Sequence, residues 1–232
     1  IGDGAFPDAY KLKSIYIQSG VEEIGEDAFS SSDDGSDIDD EIRIAINSLT
    51  LPDTLKKIGD SAFEYIYIED EITLPESLTY VGGYAIYLAE FYNNELYIPK
   101  NVEHIGKGAF SWCCFKKYSV DENNKFYSSD SQGALYNKDK TELIHYPNNT
   151  YVADNTTFII PDTVKTVKKD CFFNTRCRKE IVIPPSVEEI EHGAFHFIDT
   201  MERIVIPSSV KSRGIMYLHI DLAHEVYYEG SE

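Results

Sequence analysis

The chain of 232 residues is marked first by what it has little of. Four cysteines, Cys113, Cys114, Cys171 and Cys177, are too few to staple a chain this long. Their spacing also lacks the paired Cys-x-x-Cys of a zinc site. Basic residues are scarce: 21 Lys and Arg stand against 40 Asp and Glu, a formal charge of −19. Such a surface repels phosphate backbones and anionic lipid, which argues against nucleic-acid binding and membrane-surface docking. No apolar run approaches the ~18 residues that a membrane-spanning helix needs, so direct membrane insertion is not expected. A HExxH helix, a GxSxG elbow and a Gly-rich phosphate cradle of the right spacing are absent as well. No catalytic residue, cofactor or metal ligand is therefore assigned.

Several stretches still invite a chemical reading, and each has a plainer one. Gly106-Lys107-Gly108 lacks the four-residue spacing and the following Ser or Thr of a phosphate loop. His192 and His196 have the spacing of helical metal ligands, but a turn-like Gly-Ala-Phe separates them. His219, Asp221 and His224 lie together near the C-terminal end without a recognised metal pattern. The acidic run at 33–41, DDGSDIDDE, has neither the ligand order nor the closing glutamate of an EF-hand, and reads as a solvated loop. Cys113 and Cys171 fall where a small inward residue is expected, and a free cysteine there packs as a small hydrophobe.

What the chain does have is a repeat. Ile-Gly-x-x-Ala-Phe occurs at 1–6, 24–29, 58–63 and 105–110. Looser copies stand at 81–86 (VGGYAI), 167–172 (VKKDCF) and 190–195 (IEHGAF). Ahead of most copies runs a second phrase: LTLPDTLKKIG, ITLPESLTYVG, LYIPKNVEHIG, FIIPDTVKTVK, IVIPPSVEEIE, IVIPSSVKSRG. Because the first copy opens at Ile1, in mid-repeat, the chain is expected to be a fragment of a longer one. In Leu96-Tyr97-Ile98 the residues alternate inward, outward, inward, which predicts a short strand that Pro99 ends by removing a donor. Val102, Ile105, Ala109 and Phe110 then turn inward again. A unit this short cannot bury its own apolar face, so units must stack.

The repeat predicts strands near 15–17, 49–51, 72–74, 96–98, 118–120, 158–160, 181–183, 204–206 and 226–228. Residues 1–232 are expected to form a single solenoid with two insertions, an acidic loop at 30–48 and a β-hairpin within 121–157. A further strand is expected at 42–46. Around NKDKT, the segments ALY and ELIHY supply the two arms of the hairpin. Both insertions are expected to hang off the stack.

The IPxSVxxIGxxAF unit closely resembles the BspA-like leucine-rich repeat, and the hairpin sequence YSVDENNKFYSSDSQGALYNKDKTELIHYP is similar to a variant of the same family. That resemblance implies a β-rich, right-handed leucine-rich-repeat solenoid with short parallel strands on its concave side. It also implies an extracellular or cell-surface location, a binding or adhesion role, and no catalytic residues. Lys168 and Glu191 depart from the pattern at its glycine, Cys171 at its alanine and Ile86 at its phenylalanine.

On this reading, the middle residues of the strands face out as a column. Tyr16, Thr50, Thr73, Tyr97, Val182, Val205 and Tyr227, together with Ile159, are the candidate binding residues, since exposed tyrosine favours interfaces. β-Branched and aromatic residues also simply suit strands. Pairs such as Glu22-Glu23, Lys56-Lys57, Glu103-His104 and Glu188-Glu189 form a second column, whose alternating charge would fix register. The function expected is a non-catalytic adhesion module for a protein, matrix or glycan ligand, monomeric and without nucleic acid. The alternative is a scaffold segment of a larger secreted protein.

Overall fold

The computed structural model describes residues 1–7, 9, 11–30, 44–87, 95–111, 113, 115–147, 157–173, 180–196, 198, 203–213 and 225–228. Among these, all regular structure is strand, and each strand is short. The chain divides into two compact units, one of Ile1–Phe115 with Ser119–Phe126, the other of Lys116–Tyr118 with Tyr127–Glu232. Each is a β-solenoid.

In the first unit the expected strands form a little earlier than expected: β1 is Ser14–Tyr16 and β4 is Ser48–Thr50. These pair in parallel, Ile15 opposite Leu49 and Tyr16 opposite Thr50. A two-residue strand follows in every rung: β2 (Glu23–Ile24), β5 (Lys57–Ile58), β7 (Tyr80–Val81) and β9 (His104–Ile105). These four form one parallel sheet, with Ile24, Ile58, Val81 and Ile105 in line. The expected strand at 42–46 is present as β3 (Ile44–Ile46), and it pairs in parallel with β6 (Ile66–Ile68), a partner not anticipated. At 72–74 the inward-outward alternation holds, with Ile72 and Leu74 buried and Thr73 exposed, but no ladder strand forms. β8 (Glu95–Ile98) is hydrogen-bonded with β10 (Lys117–Val120), and just beyond, Asp121 N donates to Ile98 O at 3.1 Å.

The proline turns explain where the strands stop. The carbonyls of Pro52, Pro75 and Pro99 each accept from the amide three residues on, at 3.0–3.2 Å, closing a β-turn. Beyond the turn, the Ile-Gly phrase brings the backbone of one rung against that of the next. A Cβ placed on Gly59 would lie 2.6 Å from the Gly25 carbonyl carbon, and one on Gly106 would lie 2.5 Å from that of Gly82. The glycine of the phrase is therefore a packing requirement. The residue two further on is different, for it lies in the left-handed region in every copy: Gly4, Asp27, Ser61, Tyr84, Gly108, Asp170 and Gly193 have φ between 52° and 74°. The following Ala-Phe then turns inward, and Phe6, Phe29 and Phe63 stack ring on ring, with centroids 5.1 and 5.3 Å apart.

The second unit holds β11 (Tyr127–Ser129), β12 (Leu135–Asn137), β13 (Glu142–His145), β14 (Thr157–Ile159), β15 (Thr166–Val167), β16 (Glu180–Val182), β17 (Glu189–Ile190), β18 (Arg203–Ile206), β19 (Ser212–Arg213) and β20 (Glu225–Tyr228). β14, β16, β18 and β20 form a parallel sheet in which Phe158, Ile181, Ile204 and Val226 are in line. β12 and β13 make the expected antiparallel hairpin. It does not hang free. β13 pairs in parallel with β15 and so begins the β13-β15-β17-β19 ladder, while Tyr136 and Leu143 are fully buried.

At two described bends of this unit, Lys168 and Glu191 stand where the first unit has glycine. The Lys168 ammonium is bonded to Glu191 and lies 3.6 Å from Glu142, and Glu191 Oε2 accepts the Lys169 amide at 2.9 Å. The substituted side chains thus neutralise each other. The core repeats the same columns, with Phe158, Ile181 and Ile204 fully buried behind the strands and Phe172 stacked on Phe195 at 4.9 Å. Each such side chain contributes about 1.5–3 kcal/mol on leaving water.

Candidate functional site

In both units the strand face follows from alternation, since burying one residue sends the next outward. Tyr16 is 72% exposed in the first unit and stands in register with exposed Thr50. Thr73 is exposed but lies on an extended segment rather than a strand. Tyr97, 39% exposed, has its hydroxyl committed: it donates to Asp121 Oδ2 at 2.6 Å. The other Asp121 oxygen accepts the Asn123 amide at 2.8 Å and its side-chain amide at 3.1 Å.

The charges respond accordingly. The hydrogen bond to Asp121 and the loss of solvent push the Tyr97 phenol up to about 12. Its proton and those of Asn123 hold the Asp121 carboxyl below the ordinary carboxylate range, with help from Lys100. Sequence reasoning found Tyr97 and missed Asp121. The available signal was distance, because 24 residues, one repeat, separate the two.

Among the described side chains, the corresponding column of the second unit is apolar. Ile159, Val182 and Val205 are opposite one another in successive parallel strands, with the Tyr227 backbone next in line. Ile159 is 58% exposed, and Val182 and Val205 are half-buried. Beside them Arg203 and Glu180 lie 3.8 Å apart. The two strand faces therefore differ in chemistry: tyrosine and threonine in the first unit, three β-branched hydrocarbons in the second.

The charged column behind the two-residue strands is built as expected. Lys56 pairs with Glu22 at 2.9 Å and Lys211 with Glu188 at 3.0 Å, while Lys57 sits 5.5 Å from the Tyr80 ring, itself stacked on His104 at 4.5 Å. These contacts are exposed and screened by solvent, so their value is register rather than stability.

The remaining sequence candidates resolve into structure. Gly106 is the close-packed bend, and Gly108 occupies the left-handed position. Cys113 and Cys171 are buried thiols, and burial together with the Asp170 charge pushes the Cys171 thiol up, away from a reactive thiolate. Among the described residues no group of three or more His, Cys, Asp or Glu could hold a metal ion, and no helix is long and apolar enough to cross a membrane. The run 33–41, Cys114, Cys177 and the group His219, Asp221 and His224 lie outside the described residues.

A family model described as "BspA type Leucine rich repeat region (6 copies)" matches residues 1–39, 41–158 and 147–220. A solved leucine-rich repeat protein from Eubacterium ventriosum is 27% identical with a TM-score of 0.69, over 86% of this chain and 55% of that one. The pneumococcal vaccine antigen PcpA is 24% identical with a TM-score of 0.65, over 88% and 50%. A leucine-rich cell surface protein from Faecalibacterium prausnitzii is 20% identical with a TM-score of 0.58, over 100% and 76%. The chain thus spans about half the length of the first two structures. No curated protein matches it by sequence.

Proposed function

The chain belongs to the BspA-type leucine-rich repeat family, and from that premise we propose that it is a non-catalytic adhesion module at the cell surface or outside the cell. Its ligand is a protein, matrix component or glycan, held on the strand faces of the solenoid. One observation carries this reading. Outward side chains of successive strands are kept in register by parallel pairing, so Ile159, Val182 and Val205 form an ordered stripe and Tyr16 stands with Thr50. Rigid elements that present aligned side chains at the ~4.8 Å strand spacing suit an extended partner. The location is supported by the solved structures described as a cell surface protein and a vaccine antigen.

The test is a glycan-array screen and a pull-down from surface and matrix proteins, using the chain as it is. The ligand so identified is then titrated against Tyr16→Ala with Tyr97→Ala, and separately against Ile159→Asp. A loss of about tenfold or more is expected in at least one variant, the usual cost of removing a well-placed anchor. Affinity unchanged in both would refute the strand-face reading.

A further inference from the structure

A second surface lies away from the strand faces. In the first unit, Tyr65, Tyr84 and Tyr87 are half-buried and grouped. Tyr65 and Tyr84 both meet Tyr87 at right angles, with ring centroids 5.7 and 5.4 Å away and interplanar angles of 88°. Tyr65 N donates to Tyr87 O at 2.9 Å, which ties the two turns together. Two of these tyrosines are in a backbone conformation that bulky residues avoid: φ is 63° at Tyr65 and 52° at Tyr84. At the position of Tyr84 the other copies carry Gly4, Asp27, Ser61, Gly108, Asp170 and Gly193, all small or able to bond locally. A left-handed tyrosine is held against its preference, and such outliers concentrate where a surface has work to perform.

The next rung accommodates the ring. A Cβ on Gly108 would lie 2.6 Å from Tyr84 Cε1, so this glycine makes the room in which the tyrosine lies. On the other side of Tyr84 the same left-handed column continues through Ser61 to Asp27. Glu64 is hydrogen-bonded to the Ser61 side chain, and burial together with the Asp27 charge raises its carboxyl above the ordinary range. Glu64 itself immediately precedes Tyr65 in the chain and is half-buried like it, so the tyrosine group has a carboxylate next to it in sequence. The whole chain adds its formal charge of −19.

We propose that Tyr65, Tyr84 and Tyr87, with Glu64 adjoining Tyr65 in the chain, form a docking surface for arginine or lysine side chains of a basic protein segment. Aromatic faces attract such cations within about 6 Å of the ring centre, and the net negative charge steers them in. The surface is independent of the strand-face reading, since none of its residues belongs to that column.

Glycine at the two left-handed positions removes the rings while suiting the backbone, so Tyr65→Gly and Tyr84→Gly are expected to fold. Neither changes the net charge, so any loss of binding reports the rings rather than the overall field. The probe is the peptide Ac-GRGRGRG-NH2, titrated calorimetrically in 150 mM salt, with its citrulline counterpart as the uncharged match. Each variant should bind the arginine peptide about three- to fivefold more weakly, and the double variant ~tenfold or more. Tyr16→Ala should bind it as the wild type does. The citrulline peptide should bind far more weakly than the arginine peptide. A double variant with the wild-type dichroism spectrum and wild-type affinity, within about twofold, would overturn the proposal. So would tetramethylammonium chloride binding more tightly than the arginine peptide, which would point to a small organic cation as the ligand.

Discussion

Gly59→Ala isolates the steric demand of the bend. A Cβ at this position would lie 2.6–2.7 Å from the Gly25 carbonyl carbon, the Gly25 oxygen and the Glu26 nitrogen. All three are backbone atoms, so no side chain can rotate away, and the two rungs must separate. The φ angle of Gly59 is not in the left-handed region, so the cost is packing alone. Overpacking of a close-fitted site costs about 1–3 kcal/mol, and backbone on three sides places this one at the upper end. For a chain of this length each kcal/mol lowers the melting temperature by about 2–4 °C, so a fall of about 5–10 °C is expected.

Two controls bracket that value in the same calorimetric scan. Gly2→Ala meets nothing within 4 Å and should be neutral. Gly20→Ala also meets nothing within 4 Å, but its φ of 100° disfavours alanine, so it should lose ~1–2 kcal/mol from conformation only. A Gly59→Ala protein melting within about 1 °C of wild type, or above Gly20→Ala, would refute the argument that backbone contact between rungs fixes this glycine.

Asn124 is fully buried, and its amide donates to Pro99 O at 2.8 Å and Val102 O at 3.0 Å while its oxygen accepts the Phe126 amide at 2.8 Å. Asn124→Ala should therefore cost about 2–4 kcal/mol in a urea titration, because Val102 O and Phe126 N lose the partner that Asn124 supplies, while Pro99 O keeps the Val102 amide. His145 shares a hydrogen bond of 2.8 Å with Tyr118, and complete burial lowers its imidazole from 6.5 to about 3. Below pH 6.5 the unfolded chain gains a proton that the folded chain refuses, so this group makes stability fall as pH drops. The slope should reach ~1.4 kcal/mol per pH unit well below 6.5, and His145→Gln should reduce it, as read from urea midpoints between pH 6.5 and 5. Asp121→Asn should bring the Tyr97 phenol down from about 12 toward 10, followed by the ultraviolet absorbance of the phenolate.

The left-handed column shows how legible the repeat was, and where legibility stopped. IGxxAF marks a bend, and Gly4, Gly108 and Gly193 hint at a positive φ. Tyr84 at the same place carries no such hint, because its conformation is imposed by its neighbours. The hairpin arms were readable from ALY and ELIHY around a polar turn. That β13 would become the first rung of a parallel ladder was not, since pairing partners are set by stacking rather than by local spelling. The candidate column was located through alternation, yet the Tyr97–Asp121 bond needed two rungs to be superposed first.

The sequence by itself determined the rung: strand, proline turn, close-packed glycine, inward Ala-Phe, repeated because no single unit can cover its own apolar side. It also determined the acidity of the surface and the outward direction of Tyr16, Thr50, Tyr97, Val182 and Val205. Only the tertiary structure decided which rung lies on which. That superposition committed the Tyr97 hydroxyl to Asp121, let Lys168 replace a glycine by pairing with Glu191, and set Tyr84 over Gly108. The physical reason is that alternation and turn chemistry act within a few residues, whereas contacts between rungs join residues about one repeat apart.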